Sequence, residues 1–315
     1  MQPTVRDRAL ADGLKAGQAA VEKGLLEATK SDVPFITEAA RELMRTAGRR
    51  LRPLLVLLAA RFGDPSASGV VPAAVVVELT HLATHYHDDV VDETDAWRRR
   101  APGSDVNWDN SVAVLIGDFL FARASHILAD LGPQAVRIQA DAFKRLVTGQ
   151  ILETTGPTDG RDPVEHHLEV LASRTGSLTA VSGRLGAMTS GADASVADAL
   201  ARYGERLGVA SHLADEVEAV AARRPTLPVL LLLRGEPADR ELYHRLTGGS
   251  ADQGQYAEAV ARLRAHPALE QARQETAHQA AEARAALSGL PDCPARAALE
   301  SLCETVTHRA LAHDR

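Results

Sequence analysis

The sequence is poor in cysteine and in aromatic side chains. Its two cysteines, Cys293 and Cys303, stand outside any CxxC spacing, which weakens metal-ribbon and dithiol readings and suits a reducing compartment. Phe, Trp and Tyr together make up 3% of the chain, so a site that steadies a carbocation against aromatic faces has little to draw on. Long apolar runs are missing too. The clean apolar stretch of the C-terminal half, Leu227–Leu233, is far shorter than the ~20 residues of a membrane-spanning helix, and no transmembrane segment is expected. Met1–Ala9 carries charges and no apolar core, so no signal peptide is expected and the protein is assigned to the cytoplasm. Extended alternating runs of β-branched residues, the mark of half-buried strands, do not occur. The formal net charge of −7 argues against nucleic acid as a partner.

What is present reads as helix. The 315 residues are 45% hydrophobic and 24% charged, a globular balance with enough chain for one large domain and a deep core. Ala, Leu, Arg and Glu dominate, and all are good helix formers. The Val-rich stretch Val70–Val77 runs on into Glu78-Leu79-Thr80-His81-Leu82, where apolar residues recur at helical spacing. Gly and Pro clusters at Gly48, Gly63–Gly69, Pro102–Asn107, Gly132-Pro133, Gly156–Pro163, Pro225, Gly235–Pro237, Gly248-Gly249 and Gly289–Pro294 leave roughly ten to thirteen helices between them. No fixed-period repeat and no long linker divides the chain, so residues 1–315 read as one all-α domain.

The strongest chemical signal is His87-Asp88-Asp89-Val90-Val91-Asp92. On a helix Asp88 and Asp92 share a face, with Asp89 beside them. Like charges at that spacing repel, and a bound Mg²⁺ would relieve them. A solvated acidic helix end is the alternative, but the apolar lead-in from Leu79 places these acids where a buried helix meets a polar opening. Two guanidinium clusters flank them in sequence, Arg49-Arg50-Leu51-Arg52 before and Arg98-Arg99-Arg100 after. Arg presents a planar fork to phosphate oxygens, so acids between two such clusters suggest a polyphosphate ligand.

The ordered set resembles the trans-polyprenyl diphosphate synthases, the polyprenyl synthetase family. Ala47-Gly48-Arg49-Arg50-Leu51-Arg52-Pro53 is similar to its GGKRxRP segment, and Glu78 through Glu93 to its first aspartate-rich motif with the lead-in helix. Arg98-Arg99 resembles RRG, Gly117-Asp118-Phe119-Leu120 matches, Gly149-Gln150-Ile151-Leu152-Glu153 resembles GQxxD, Arg174-Thr175-Gly176-Ser177-Leu178 resembles KTGxL, and Thr226-Leu227-Pro228 resembles TLP. The resemblance implies a single large all-α helical bundle, isoprenoid-synthase-like, around a central cavity. It implies Mg²⁺ as cofactor, isoprenoid diphosphates as substrates, and a homodimer, with a heteromer as the variant.

The implied roles follow position by position. Asp88, Asp89, Asp92, Arg98 and Arg174 belong to the catalytic set, with Asp88 and Asp92 on the metal. Arg98, Arg174, Thr175 and Gln150 hold an allylic diphosphate; Arg49, Arg50, His81 and Arg99 hold isopentenyl diphosphate. The implied reaction departs through an allylic cation, is attacked by the isopentenyl double bond, and ends in proton loss. Ala83 and Thr84, with Thr80 a turn deeper, line the tail's path, and their small size resembles long-chain synthases.

One motif departs from the family. The second aspartate-rich motif appears as Ser211-His212-Leu213-Ala214-Asp215-Glu216-Val217-Glu218-Ala219. Asp215 remains as a candidate metal ligand and Glu216 is a conservative change. The last acid is Ala219, and Glu218 stands one position early, turned about 100° around the helix. The loop before Thr226 is short, with Arg223 or Arg224 in place of the family's lysine. The departure keeps two other readings open: a terpene-synthase-like lyase acting on the allylic diphosphate alone, and an impaired subunit of a heteromeric synthase. Residues 235–315 read as amphipathic helices without a motif, and His244, His266, His278, His308 and His313 as surface or packing residues.

Overall fold

The computed structural model describes residues 1, 3–46, 50–91, 110–158, 160–220, 224–248 and 253–312, without the side chains of Leu43, Arg45, Thr46, Asp89 and Val91. Among the described residues the chain is all α, with no strand. In order the helices are α1 (Arg8–Ala28), α2 (Pro34–Thr46), α3 (Leu51–Ala59), α4 (Val70–Val91), α5 (Asn110–Leu131), α6 (Pro133–Thr155) and α7 (Pro163–Leu171), then α8 (Ser177–Thr189), α9 (Ala194–Glu218), α10 (Leu227–Leu231), α11 (Pro237–Thr247), α12 (Gln253–Arg264), α13 (Pro267–Ala286) and α14 (Pro294–Leu311). The Val-rich segment is helical throughout. The small propensity cost of β-branched residues, up to ~0.7 kcal/mol each, is outweighed by burying them: Val75, Val76 and Val77 are all inside.

The helices gather into two compact units. One comprises Val5–Asp141 and Val181–Asp198; the other comprises Met1–Thr4, Ala142–Ala180 and Ala199–Arg315. In the first, α4 packs against α1, α3 and α5. Every residue from Leu54 to Ala60 is buried, as expected of a helix apolar on all sides. In the second, Leu213 and Val217 of α9 share a core with Leu227, Val229 and Leu230 of α10, Leu242 and Leu246 of α11, and Leu269 and Ala272 of α13. There α14 packs along α13, and the buried Tyr203 hydroxyl donates to Leu299 O at 2.8 Å.

Two local features bear on function. Helices α7 and α8 are joined without a break by a π-helical turn, Ala172–Gly176, a distortion often found at functional positions. Among the described residues α5 alone is long and apolar enough to cross a membrane by length and composition. It packs along α4 and leaves Val114 and Leu115 exposed.

Candidate active site

In the first unit a basic cradle forms where α3 begins beside α4. Arg50, just ahead of α3, donates from Nη1 to Glu78 Oε1 at 2.8 Å, and its other nitrogens reach the Glu22 carboxylate. Burial pushes the Arg50 pKa down, but the Glu22 and Glu78 partners more than offset it. Glu78 is raised because burial outweighs Arg50 and Arg52. Arg50, expected to hold isopentenyl diphosphate, is thus already matched by two carboxylates.

Arg52 is in a different state. It is half-buried in the first turn of α3, and its Nε is sequestered with no hydrogen-bond partner among the described residues. Burial depresses its pKa and Glu78 opposes the shift. An unpaired buried donor is costly, about 1–3 kcal/mol, and an anion would satisfy it. His81 stands in the same field: burial first, then Arg52, His85 and Arg50, hold its pKa well below 6.5. At neutral pH it is an uncharged imidazole able to donate one N–H. In the sequence Arg52 belongs to the first guanidinium cluster without a role of its own; its place in a helix's first turn, where unpaired amides add positive potential, marks it further.

Asp88 is half-buried in the last turn of α4. The residue before it anchors that turn: His87 Nε2 lies 3.2 Å from Val114 O and 3.5 Å from Asp118 Oδ1. Gly117 is required for this approach, since a Cβ there would sit 2.2 Å from His87 Nε2. The Gly117-Asp118 pair is therefore a clamp on the acidic turn. The side chain of Asp89, and Arg49, Asp92, Arg98 and Arg99, lie outside the described residues. Hard carboxylate oxygens such as those of Asp88 are the donor chemistry that a divalent cation of the Mg²⁺ or Ca²⁺ type takes.

A turn deeper, Thr80 and Ala83 are buried and Thr84 nearly so. Thr80 Oγ1 donates to Val76 O at 2.9 Å and accepts from Gln139 Nε2 at 2.7 Å; Thr84 Oγ1 donates to His81 O at 2.8 Å. The side chains on α4 are small as expected, but Gln139 of α6 reaches over Thr80 and adds bulk that α4 itself does not show.

In the second unit Arg174 and Thr175 occupy the π turn. Gly149 of α6 lets that turn come close, because a Cβ on it would lie 2.8 Å from Ser173 Cβ and 2.9 Å from Arg174 Cγ. Glu153, one turn along α6, pairs with Arg174. Gln150 lies between Gly149 and Glu153 in sequence, and its Oε1 is buried with no partner among the described residues; with the amide turned over, the same place offers NH₂ to a phosphate oxygen. Thr175 Oγ1 is 3.4 Å from His212 Nδ1.

The second acidic stretch closes α9, and its three acids divide between two sets of partners. Glu216 points inward: it accepts from Leu227 N at 2.9 Å and from His167 Nε2 at 3.1 Å, with His212 Nε2 3.6 Å away. Burial pushes its pKa up, but the bonds from His167 and His212 bring it down to about 2. A carboxylate on the first amide of α10 caps that helix, which explains Glu216 and Thr226-Leu227-Pro228 as one structural unit. Asp215 and Glu218 both bind Arg309 of α14. Among the described residues no group of three His, Cys, Asp or Glu side chains converges as a metal site. The Asp215 carboxylate, a candidate metal ligand in the sequence, is here engaged by a guanidinium, as is Glu218.

The polyprenyl synthetase profile matches residues 33–263, spanning both the cradle and the second acidic stretch. The chain is a member of the polyprenyl synthetase family. Nonaprenyl diphosphate synthase of Mycobacterium tuberculosis is 39% identical over 320 residues, covering 96% of this chain and 95% of that protein. The crystal structure of geranylgeranyl pyrophosphate synthase from Corynebacterium glutamicum, complexed with calcium and isoprenyl diphosphate, matches with a TM-score of 0.87 at 36% identity, covering 98% of this chain and 99% of that one. The decaprenyl diphosphate synthase of Rhodobacter capsulatus matches with a TM-score of 0.86 at 31% identity, covering 96% and 99%. For this polyprenyl synthetase the relatives carry product names of different lengths at similar identity, so chain length is a question for its own residues.

Proposed function

We propose that this polyprenyl synthetase condenses an allylic diphosphate with isopentenyl diphosphate and releases a long-chain trans-polyprenyl diphosphate, with Mg²⁺ as its metal. The observation that carries the reading is Arg52, a half-buried guanidinium with an unpartnered Nε beside the neutral imidazole of His81, in a chain of this family. Arg52 and His81, with Arg49 and Arg99, orient isopentenyl diphosphate. Arg50 acts behind them by fixing Glu22 and Glu78. Arg174 and Thr175 with Gln150 and Arg98 hold the allylic diphosphate, and Glu153 aims Arg174. Asp88, with Asp89 and Asp92, holds the metal, which when bound offsets the charge that grows on the departing diphosphate. The residues then serve by positioning: the isopentenyl double bond meets the allylic carbon, a new C–C bond forms, and a proton is lost.

The small side chains of Thr80, Ala83 and Thr84 support a long product. The exposed Val114 and Leu115 of α5 support a homodimer in which a second copy covers that face. Helices α6, α8 and α9 each continue from one unit into the other, which supports reading residues 1–315 as one catalytic domain. Both cysteines are free thiols, in keeping with a cytoplasmic setting.

One assay tests the reaction. Purified chain, Mg²⁺ and a radiolabelled allylic diphosphate are incubated with and without isopentenyl diphosphate. Longer diphosphates that form only with isopentenyl diphosphate are the expected result. Hydrocarbon or alcohol from the allylic substrate alone would replace the proposal with a lyase. Light scattering on the same sample reads the dimer.

A further inference from the structure

We propose that Arg309 is the resident counter-ion of the second acidic motif, taking the place that a metal ion would otherwise need at Asp215. Its Nε–Nη2 edge is engaged: Nη2 donates to Asp215 Oδ1 at 2.6 Å and to Glu218 Oε2 at 2.7 Å, while Nε donates to Glu218 Oε1 at 2.9 Å. The Glu218 contact is the two-bond carboxylate–guanidinium pairing that Arg forms and Lys cannot. Arg309 is also partly sequestered, with 28% of its side chain exposed. The inference rests on the family reading in one respect only: this turn of α9 is where the family carries acids.

The geometry turns the apparent damage in the motif into a matched set. Asp215 and Glu218 are three positions apart, so they share a face of α9 and repel each other unless a cation lies between them. An acid at position 219 would lie about 100° further round; Ala219 stands there instead. Glu216, the remaining acid, is committed to Leu227 N and His167. The early placement of Glu218 and the loss of the acid at 219 both follow if the pair was built for a planar guanidinium from α14. A divalent ion at Asp215 must then displace Arg309, so the two compete.

The test is Mn²⁺ binding without any substrate, followed by electron paramagnetic resonance on the full chain. The proteins are wild type, Asp215→Asn, Arg309→Gln, the double variant, and Arg309→Lys. The expected result is that Asp215→Asn leaves wild-type Mn²⁺ binding unchanged. Arg309→Gln gains binding, at least ~10-fold tighter at the added site, and Asp215→Asn removes that gain. Arg309→Lys, which keeps the charge without the fork, falls between. A loss of Mn²⁺ in wild type on Asp215→Asn would overturn the proposal, and so would an Arg309→Gln protein with no gain. The first arm does not depend on how well Arg309→Gln folds. Failure of the elongation assay with this pattern intact would reject the reaction and leave the counter-ion standing.

Discussion

Helices α4 and α9 both carry a turn of carboxylates, and the two turns have different surroundings. At α4 Asp88 sits on a buried helix next to a turn clamped by His87 against Gly117 and Asp118, with the basic cradle of His81 and Arg52 about two turns back. At α9 the acids are divided. Glu216 turns inward to cap α10, and Asp215 and Glu218 are neutralised by a guanidinium 94 and 91 residues along the chain. The lesson is that an acidic helix end need not signal a metal, because at α9 a guanidinium of the chain already answers two of the acids.

The largest effect that would break this contrast is at α4. Asp88→Ala should lower elongation roughly 10³-fold or more at saturating Mg²⁺; a kcat within tenfold of wild type would remove the metal assignment. Next is Arg52→Gln, expected to raise the KM for isopentenyl diphosphate about 10- to 100-fold with a smaller change in kcat. Steady-state kinetics with each substrate varied in turn checks which diphosphate is affected.

At α9, Glu216→Gln should act on stability rather than on KM, costing about 2 kcal/mol by urea denaturation. Because folding depresses this carboxyl from 4.5 to about 2, its contribution is present above pH 4.5 and fades as pH falls toward 2. The variant should therefore lose part of the acid limb of the stability curve. His81 gives a smaller, milder-pH effect. Its folded pKa lies well below 6.5, so below that pH the unfolded chain takes up a proton that the folded chain refuses. Stability should decline as pH drops from about 7.5 to 5.5, and His81→Asn should flatten that slope. The smallest effect sharpens the comparison: Asp215→Asn should change elongation less than about threefold, as expected of an exposed ion pair.

Much of this was legible in the chain. Helix identity followed from periodicity, even for Val70–Val77, because burial outweighs β-branched propensity. Asp88, Arg174, Thr175, Gln150 and His81 could be singled out in the sequence because each lies in a short local motif; the roles given to them above are proposals. Arg50 and Arg52 look alike within the first guanidinium cluster; only the partners Glu22 and Glu78 of Arg50 tell them apart. Gln139 and Arg309 were not visible because nothing in their own neighbourhoods marks them, and their partners are far away along the chain.

The sequence by itself determined the helical class, the family and the acidic turn of α4, since these depend on spacing within a few turns. Tertiary structure alone decided which charges are already spent. A carboxylate's partner is whichever cation the fold brings within hydrogen-bond reach, and for Asp215 and Glu218 that cation comes from the last helix of the chain.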